Sequence, residues 1–392
     1  MRKTISAVLS MLFVMTCLSQ AGCSVEEERF PDLVFDQRED AAESSGEDPV
    51  FNTNALHELT AALPLSDETV SLLMKLYYAK NNDLFPEQMS GADISIEYLN
   101  AINTSWIVNT VTCDNYGLTA ENLQMLADEG ISPDIFLASD IDSLITNDMI
   151  ASVDQYIYDD PVSVNSVYIN AAESLRRDGD HYGLPFYTSV YLLAGNREYL
   201  PESGVPEYNI SKEDLISFLG DIPSYGDDGS YITRFFNASV LEPFLGEEYV
   251  QDLTDRGLTS NSDTYGADPR LSRTCGMWLM RSGEFNTWDL YYPDGLYFTI
   301  LPTDNVNAEV FPICLSNDSD DPDFAASFAS FICFDEDAQL LIRRLEPLRG
   351  FFPATSYPEV WDEMSSDGQW GVQAMLYEQY MGNAVYEVSY DR

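Results

Sequence analysis

Histidine is almost missing from this chain, with two residues, His57 and His181, among 392. No GxSxG elbow, HExxH pair or phosphate-cradling P-loop occurs either. The usual nucleophilic, zinc and nucleotide chemistries therefore lack their local signatures. Basic residues are scarce, 19 against 66 acids, for a formal charge of −47. That balance repels nucleic-acid phosphates and gives no electrostatic grip on anionic lipid; its simplest meaning is solubility. Long apolar runs are absent beyond the first residues, so no later segment is long enough to span a bilayer. Six cysteines are present, none in a CxxC pair. Cys113, Cys275, Cys314 and Cys333 sit among apolar neighbours, as buried free thiols do in a chain of this size. One bridge among them stays open, since spacing does not decide pairing.

What the chain does have begins at residue 2. Arg2 and Lys3 precede an apolar run from Ile5 to Leu18, and Ser19-Gln20-Ala21-Gly22-Cys23 follows. A charged start, an apolar stretch too short for a membrane span and a small-residue cleavage site make an export signal. Ala21-Gly22-Cys23 resembles a bacterial lipobox, with Gln20 where leucine is usual. The expectation is a lipoprotein signal over residues 1–22 and lipidation of Cys23. The alternative is an ordinary secretory signal cut near Ala21. Residues 23–50 are charged and poor in aromatics, which suits an acidic tether reaching about 30 Å. The expected location is outside the cytoplasm, anchored to the bacterial cell membrane.

The remaining chain is 45% hydrophobic over its whole composition and long enough for two domains. Val70, Leu73, Met74 and Tyr77 recur at helical spacing, while Ile94 to Tyr98 alternates as a strand does. Thr119 caps a helix that stops at Gly130, and Ser211 begins another that ends at Gly220. Ile135 to Ala138 is a short buried strand. Leu296–Leu301 and Val310–Leu315 are further strands, and Asp321-Pro322 opens a helix with Phe324, Phe328, Phe331 and Ile332 on one face. Strands alternating with helices predict an α/β fold, with ligands at the carboxyl ends of strands.

Several passages, in order, resemble the extracellular solute-binding proteins of ABC importers, the family that includes maltose-binding protein. Leu126-Ala127-Asp128-Glu129-Gly130 with Pro133-Asp134-Ile135-Phe136-Leu137-Ala138 is similar to its helix, turn, Pro-Asp and strand passage. Gly179 to Pro185, followed by Leu192-Leu193-Ala194-Gly195-Asn196, is similar to its "GkxYGlP…l.YN" stretch, with Gly195 in the tyrosine's place. Gly276 to Phe285 resembles "aM…G.W", with Phe285 for the tryptophan. Tyr297 to Pro302, Asp323 to Phe328 and Gly350-Phe351-Phe352-Pro353-Ala354 complete the pattern. The resemblance covers residues 119 to 356. The family's first strand is hard to find between residues 51 and 66, and the chain end lacks the expected long helical run.

The resemblance implies two α/β lobes joined by crossing hinge strands, in the manner of periplasmic binding proteins. Lobe 1 would hold residues 51–188 and 310–355, and lobe 2 residues 189–309 and 356–392, with crossings near Tyr187–Tyr191 and Asn307–Phe311. It implies capture of a small solute, foremost a sugar or oligosaccharide, between the lobes and delivery to ABC permease subunits. No catalysis, cofactor or metal is expected, and the protein is expected to be a monomer. Aromatic rings suit the C–H face of a sugar and paired donors and acceptors suit its hydroxyls. The candidate site residues are Tyr187, Thr188, Ser189 and Tyr191 on the crossing strand, Phe285 and Trp288 in a loop, and Ser139 and Asp140 after the buried strand. Core packing or surface placement would explain each of them singly; Trp278, inside an apolar run, is expected to be core. Two other readings stand beside this one: an extracellular carbohydrate-active enzyme or surface glycan-binding lipoprotein, and a binding protein for a solute other than sugar. A carboxylate pair for glycoside hydrolysis is too unselective a requirement among so many acids. Asn317 to Asp321 suggests a calcium loop but lacks the glycine and spacing, and fits a helix cap instead.

Overall fold

A computed structural model of the protein describes residues 56–84, 94–154, 166–200, 210–260, 268–292, 295–346, 348–366 and 377–388. The expected export signal over residues 1–22, the expected lipidation at Cys23 and the expected acidic tether lie outside the described residues. No described helix is long and apolar enough to cross a membrane.

The strands, in chain order, are β1 (Glu58–Ala62), β2 (Ile107–Thr110), β3 (Ile135–Leu137), β4 (Arg176–Arg177), β5 (Asp180–His181), β6 (Leu184–Asn196), β7 (Thr233–Phe236), β8 (Thr259–Ser260), β9 (Cys275–Arg281), β10 (Leu296–Ile300), β11 (Asn307–Leu315), β12 (Phe352–Pro353) and β13 (Val385–Val388). β4 and β5 make a small ribbon; the others form one sheet in the order β2-β1-β3-β11-β6-β9-β7-β8. β10 and β12 also pair with β6, and β13 with β11. β1 runs parallel to β2 and β3, and β7 parallel to β8 and β9. Parallel neighbours need helical crossovers. Asp67–Asn81 supplies one after β1 and Ala120–Asp128 another after β2.

β6 organises the sheet. All thirteen of its residues are buried, which its nearly unbroken apolar and β-branched sequence allows. Its first half pairs with β11, from Ile313↔Leu184 to Ala308↔Val190, and with β12 on its other edge. Its second half pairs with β9, from Tyr191↔Arg281 to Gly195↔Met277, and with β10. One strand thus belongs to both halves of the sheet. β11 carries a register shift at Phe311/Pro312, where proline's missing donor costs nothing.

Strand periodicity sorts side chains between cores. Along β3, Ile135 and Leu137 join a cluster with Leu73, Tyr77, Trp106, Phe324 and Phe328. Phe136 joins a second with Ile141, Leu192, Trp278, Phe352 and Trp361. Along β6 and β9, Leu193 and Met277 enter a third with Leu215, Phe235 and Leu241. Trp278 is fully buried, as expected. The thiols of Cys275, Cys314 and Cys333 are buried and unbridged; burial pushes all three up, away from the reactive thiolate.

Two local expectations change. Ile94 to Tyr98 is not a strand: Ser95 caps a helix, Ile96–Ala101, by accepting the Tyr98 N–H at 3.1 Å. The local cap outweighs the alternation, because only Leu99 of this helix is buried. The missing first strand is β1, disguised by its sequence Glu-Leu-Thr-Ala-Ala. Small Ala61 and Ala62 suit a position between two parallel neighbours and are wholly buried. His181 lies in β5, 3% exposed, with Nδ1 2.6 Å from Asp154. The described end of the chain forms a short helix, Pro358–Ser365, and β13. That helix lies on Glu336–Leu345: Arg344 Nε meets Glu363 at 3.3 Å, and Trp361 stacks on Phe352 at 5.6 Å.

Close approach of backbone at two glycines holds the halves together. Ser282, just after β9, donates its hydroxyl to the Gly350 carbonyl and accepts the Val190 N–H at 2.9 Å. Gly350 has φ +91°, and a Cβ there would run into the Ser282 carbonyl. A Cβ on Gly283 would come within 2.6 Å of the Phe351 ring. Gly350→Ala therefore combines a left-handed backbone with a backbone collision and should cost more than about 1 kcal/mol. A urea midpoint equal to that of the unaltered protein would show that this junction yields freely.

Candidate functional site

The eight expected residues occupy distinct surroundings. Tyr187 is fully buried between Phe186, Phe311 and Phe351, with ring centroids 4.6 to 5.4 Å away, and its hydroxyl donates to Asn115 O at 2.5 Å. Burial foremost pushes its phenol well up. Thr188 is fully buried, its hydroxyl 3.5 Å from Phe352 O. Ser189 is equally buried; its Oγ accepts the Gly283 N–H at 2.9 Å and lies 3.2 Å from Ser282 Oγ. These three seat the crossing strand among its neighbours.

Phe285 and Trp288 fall on a helix, Phe285–Tyr291, rather than in a loop, and each is 4% exposed. Phe285 packs against Phe298 at 5.6 Å. Trp288 carries the Arg270 guanidinium over its ring at 4.7 Å, and Arg270 also lies over Phe236 while gripping Asp268 with two nitrogens. Spacing of three within one short helix puts both rings on its buried side.

Tyr191 belongs to a polar constellation where the halves of the sheet join. Tyr191 donates to Glu309 Oε1 at 2.5 Å, and its ring lies 4.8 Å from Phe244. Glu309 is 4% exposed in the middle of β11. Its second oxygen faces Arg281 Nη1 at 3.4 Å, while Arg281 Nε reaches Glu284 Oε1 at 3.1 Å. Glu284 Oε2 in turn accepts Trp288 Nε1–H at 3.0 Å. Arg281 sits 5.2 Å above the Tyr116 ring. Burial acts to lower the Arg281 pKa, but Glu284 and Glu309 outweigh it and hold the guanidinium firmly charged.

Tyr116 belongs to the loop between β2 and the Ala120–Asp128 helix. Asp114 shapes that loop by accepting the Tyr116 N–H at 2.8 Å. Gly117, at φ +85°, lets its backbone approach β3 so closely that a Cβ would stand 2.7 Å from Ala138 C. Leu118 then donates to Leu137 O and accepts from Ser139 N. Ser139 and Asp140 therefore follow β3 directly beside this loop. Asp140 is a helix cap, accepting the Ser143 N–H at 3.0 Å. Ser139 is 4% exposed, and its hydroxyl has no partner among the described residues. A buried, unmatched hydroxyl is uncommon in a folded protein and invites a water or a ligand atom.

Of the residues at and beside this constellation, the sequence expectations named Tyr191, Ser139 and Asp140; Arg281, Glu284, Glu309 and Tyr116 were not among them. Only Glu309 carried a signal, as the one charge within the apolar run Ala308-Glu309-Val310-Phe311. Among the described residues, no group of histidine, cysteine and carboxylate side chains could hold a metal.

No protein-family model and no curated protein matches the sequence. Solved structures do match in fold. An ABC substrate-binding protein from Listeria monocytogenes in complex with cycloalternan aligns with a TM-score of 0.58 at 15% identity, over 86% of this chain and 89% of that one. A sugar transporter from Rhizobium etli in an open conformation gives 0.57 at 16%, over 85% and 89%. An extracellular solute-binding protein from Staphylococcus aureus in complex with maltose gives 0.53 at 14%, over 85% and 87%. The chain thus has the mixed α/β, periplasmic-binding-protein-like fold of these sugar-binding proteins.

Two substitutions separate packing from polar linkage. Phe285→Ala should cost about 3–5 kcal/mol, the usual loss for a buried phenyl ring. Tyr191→Phe keeps the ring and removes one donor from a buried carboxylate, for about 1–3 kcal/mol. Denaturant unfolding measures both. A Tyr191→Phe protein of undiminished stability would show that Glu309 does not depend on this bond.

Proposed function

We propose that this protein is a lipid-anchored extracytoplasmic solute-binding protein. It captures a small solute, foremost a sugar or oligosaccharide, between two lobes and delivers it to an ABC permease. The observation that carries the reading is the constellation of Tyr116, Tyr191, Arg281, Glu284 and Glu309 at the seam of the sheet. It offers ring faces and fixed donors and acceptors together, which is what a polyhydroxylated ligand needs. Ser139 and Asp140, at the carboxyl end of β3, lie where open α/β sheets bind ligands.

In this reading one lobe holds residues 51–188 with 310–355 and the other residues 189–309, hinged on β6 and β11. The described part of 356–388 is better grouped with the first lobe, because its helix rests on Glu336–Leu345. Tyr187, Thr188, Ser189, Phe285 and Trp288 support the lining from behind, and the protein works as a monomer. Ligand touching both lobes favours their closed arrangement by its differential affinity, and the permease reads that shape. The acidic surface keeps the body off anionic headgroups while Cys23 holds it near the membrane.

A broad screen of mono- and oligosaccharides by thermal unfolding tests the ligand class. At about 100 times its dissociation constant a bound saccharide adds about 2.7 kcal/mol, or about 2–4 °C for each kcal/mol in a body of this size. A shift with another solute class and none with sugars would remove the sugar assignment, and sugar turnover during incubation would replace capture with catalysis. The anchor has its own test. Cys23→Ala should release the protein from the detergent phase or block its processing, and unchanged partitioning would rule lipidation out.

A further inference from the structure

β2 and β8 stand at the two ends of the strand order. Exposed edges are usually guarded by charge, by proline or by shortness. β8 is only two residues long. β2 lacks the chemical guards: no charged residue and no proline occurs between Glu97 and Asp114, in a chain that is 22% charged. Its backbone is half used. Ile107 N donates to His57 O at 2.8 Å and Val111 N to Ala61 O at 2.9 Å, so every second residue from Ile107 faces β1. Val108 and Thr110, between them, turn their N–H and C=O groups the other way. Among the described residues no strand meets them there.

A groove opens beside this edge. Met74 and Lys75 line it from the Asp67–Asn81 helix, and Trp106, Ile107 and Val108 from the strand side. Met74 and Trp106 are buried, while Ile107 is 43% exposed. No carboxylate lines the groove. Lys75 donates to the Asn100 side-chain carbonyl at 3.2 Å and has no carboxylate partner among the described residues. With 66 acids for 19 bases, a lysine in that position is conspicuous. The acids near β2 are held at its other end, where Glu58 accepts from the Asn109 side chain and Asp67 from the Thr110 hydroxyl.

We propose that this edge binds the C-terminal tail of a partner protein, an extended apolar segment that adds to the sheet beside β2 and sets its terminal carboxylate against Lys75. Main-chain pairing with Val108 and Thr110 supplies affinity, and an apolar side chain over Met74, Trp106 and Ile107 supplies selectivity. Two charge arguments fix the chemistry of the tail. A groove with one cation and no carboxylate calls for an anion. A segment with several acids, however, is repelled by a body at −47. One terminal charge on an otherwise neutral tail meets both demands. Lys75 lies at the Trp106 end of β2 and Glu58 and Asp67 at the Thr110 end, which orients the tail antiparallel to β2. None of these residues belongs to the solute site proposed above.

The test uses the full chain and a display library of random peptides fused through their N-termini, so that each ends in a free carboxylate. Selection should enrich tails with apolar residues at alternating positions. A synthetic copy of an enriched tail should bind at least about tenfold more tightly than its C-terminal amide, the loss expected for a hydrogen bond to a charged group. Lys75→Met should weaken the acid by the same factor and leave the amide unaffected. Val108→Pro removes an outward N–H that the fold does not use, as edge strands allow. It should abolish binding and preserve the thermal unfolding midpoint. Ile107→Glu, at an exposed position, serves the same end should the proline variant fail to fold. Selection that enriches nothing, or that enriches the same peptides on these variants, overturns the inference. Amides that bind as tightly as acids, or affinity unmoved by Lys75→Met, overturn the assignment of the terminal carboxylate. Sedimentation that shows the chain pairing with itself, and Val108→Pro abolishing that pairing, gives the edge to a second copy and overturns the partner tail.

Discussion

Everything in this fold hangs on β6. A thirteen-residue strand buried throughout cannot leave its backbone groups unpaired, because each unmatched amide in an apolar interior is costly. β11 and β12 answer its first half, and β9 and β10 its second. Neither half of the sheet can therefore be completed without a strand it shares with the other. The requirement also explains the sequence of β6, which carries Leu, Phe, Tyr, Val and Thr but no charge between Leu184 and Asn196. A charged side chain there would have no water to face.

Sharing a strand creates the seam at which polar chemistry collects. Tyr191 is the first residue of the second half of β6, and its register partner is Arg281. Glu309 stands opposite Ser189 on β11. Hydrogen bonding in the sheet thus brings Arg281 and Glu309 together from strands that are far apart in sequence. A carboxylate as buried as Glu309 is tolerable only with a charge or strong donors beside it, and Arg281 and Tyr191 supply both. The helix that follows β9 then places Glu284 on the free edge of the same guanidinium. In this way the site is a by-product of satisfying the sheet, with residues contributed by elements that have other reasons for their positions.

Local rules made much of this visible beforehand. Thr119, Ser211 and Asp321 each cap a helix by accepting an N–H three residues on, a pattern written in four adjacent letters. The buried strands at Ile135 and Leu296 declared themselves by apolar runs, while the crossing strands were implied by the family resemblance. Phe285 and Trp288 were legible as aromatics of consequence but not as members of a helix, because the residues before them, Ser282-Gly283-Glu284, look like a loop. Arg281, Glu284 and Tyr116 were illegible, and Glu309 was marked only as the one charge in its apolar run, for a different reason. Their meaning lies in register between β6, β9 and β11, and in a loop pressed against β3 by Gly117. In a chain with 66 acids, what a glutamate is for does not show until pairing picks it.

The contact at Gly283 and Gly350 bears on how such a protein could move. Ser282 binds β6 through the Val190 amide and Gly350 through its carbonyl, so one hydroxyl ties the end of β9 to the segment leading into β12. With no side chain on either glycine, the two backbones approach as closely as backbones can. Packed junctions of this kind are rigid against small strain and have few alternative arrangements. Motion between the halves would then concentrate in the twist of β6 and β11, whose ladders persist through rotation, and less in sliding at the glycine contact. Arg281 lies one residue before Ser282, on the same tie. Any change in twist along β6 is thereby communicated to the guanidinium that Glu284 and Glu309 share, which couples the geometry of the polar site to the angle between the halves. A ligand that rearranged those two carboxylates would bias the angle between the halves without touching β6 or β11, because a ligand shifts such an equilibrium only by its differential affinity for the two arrangements.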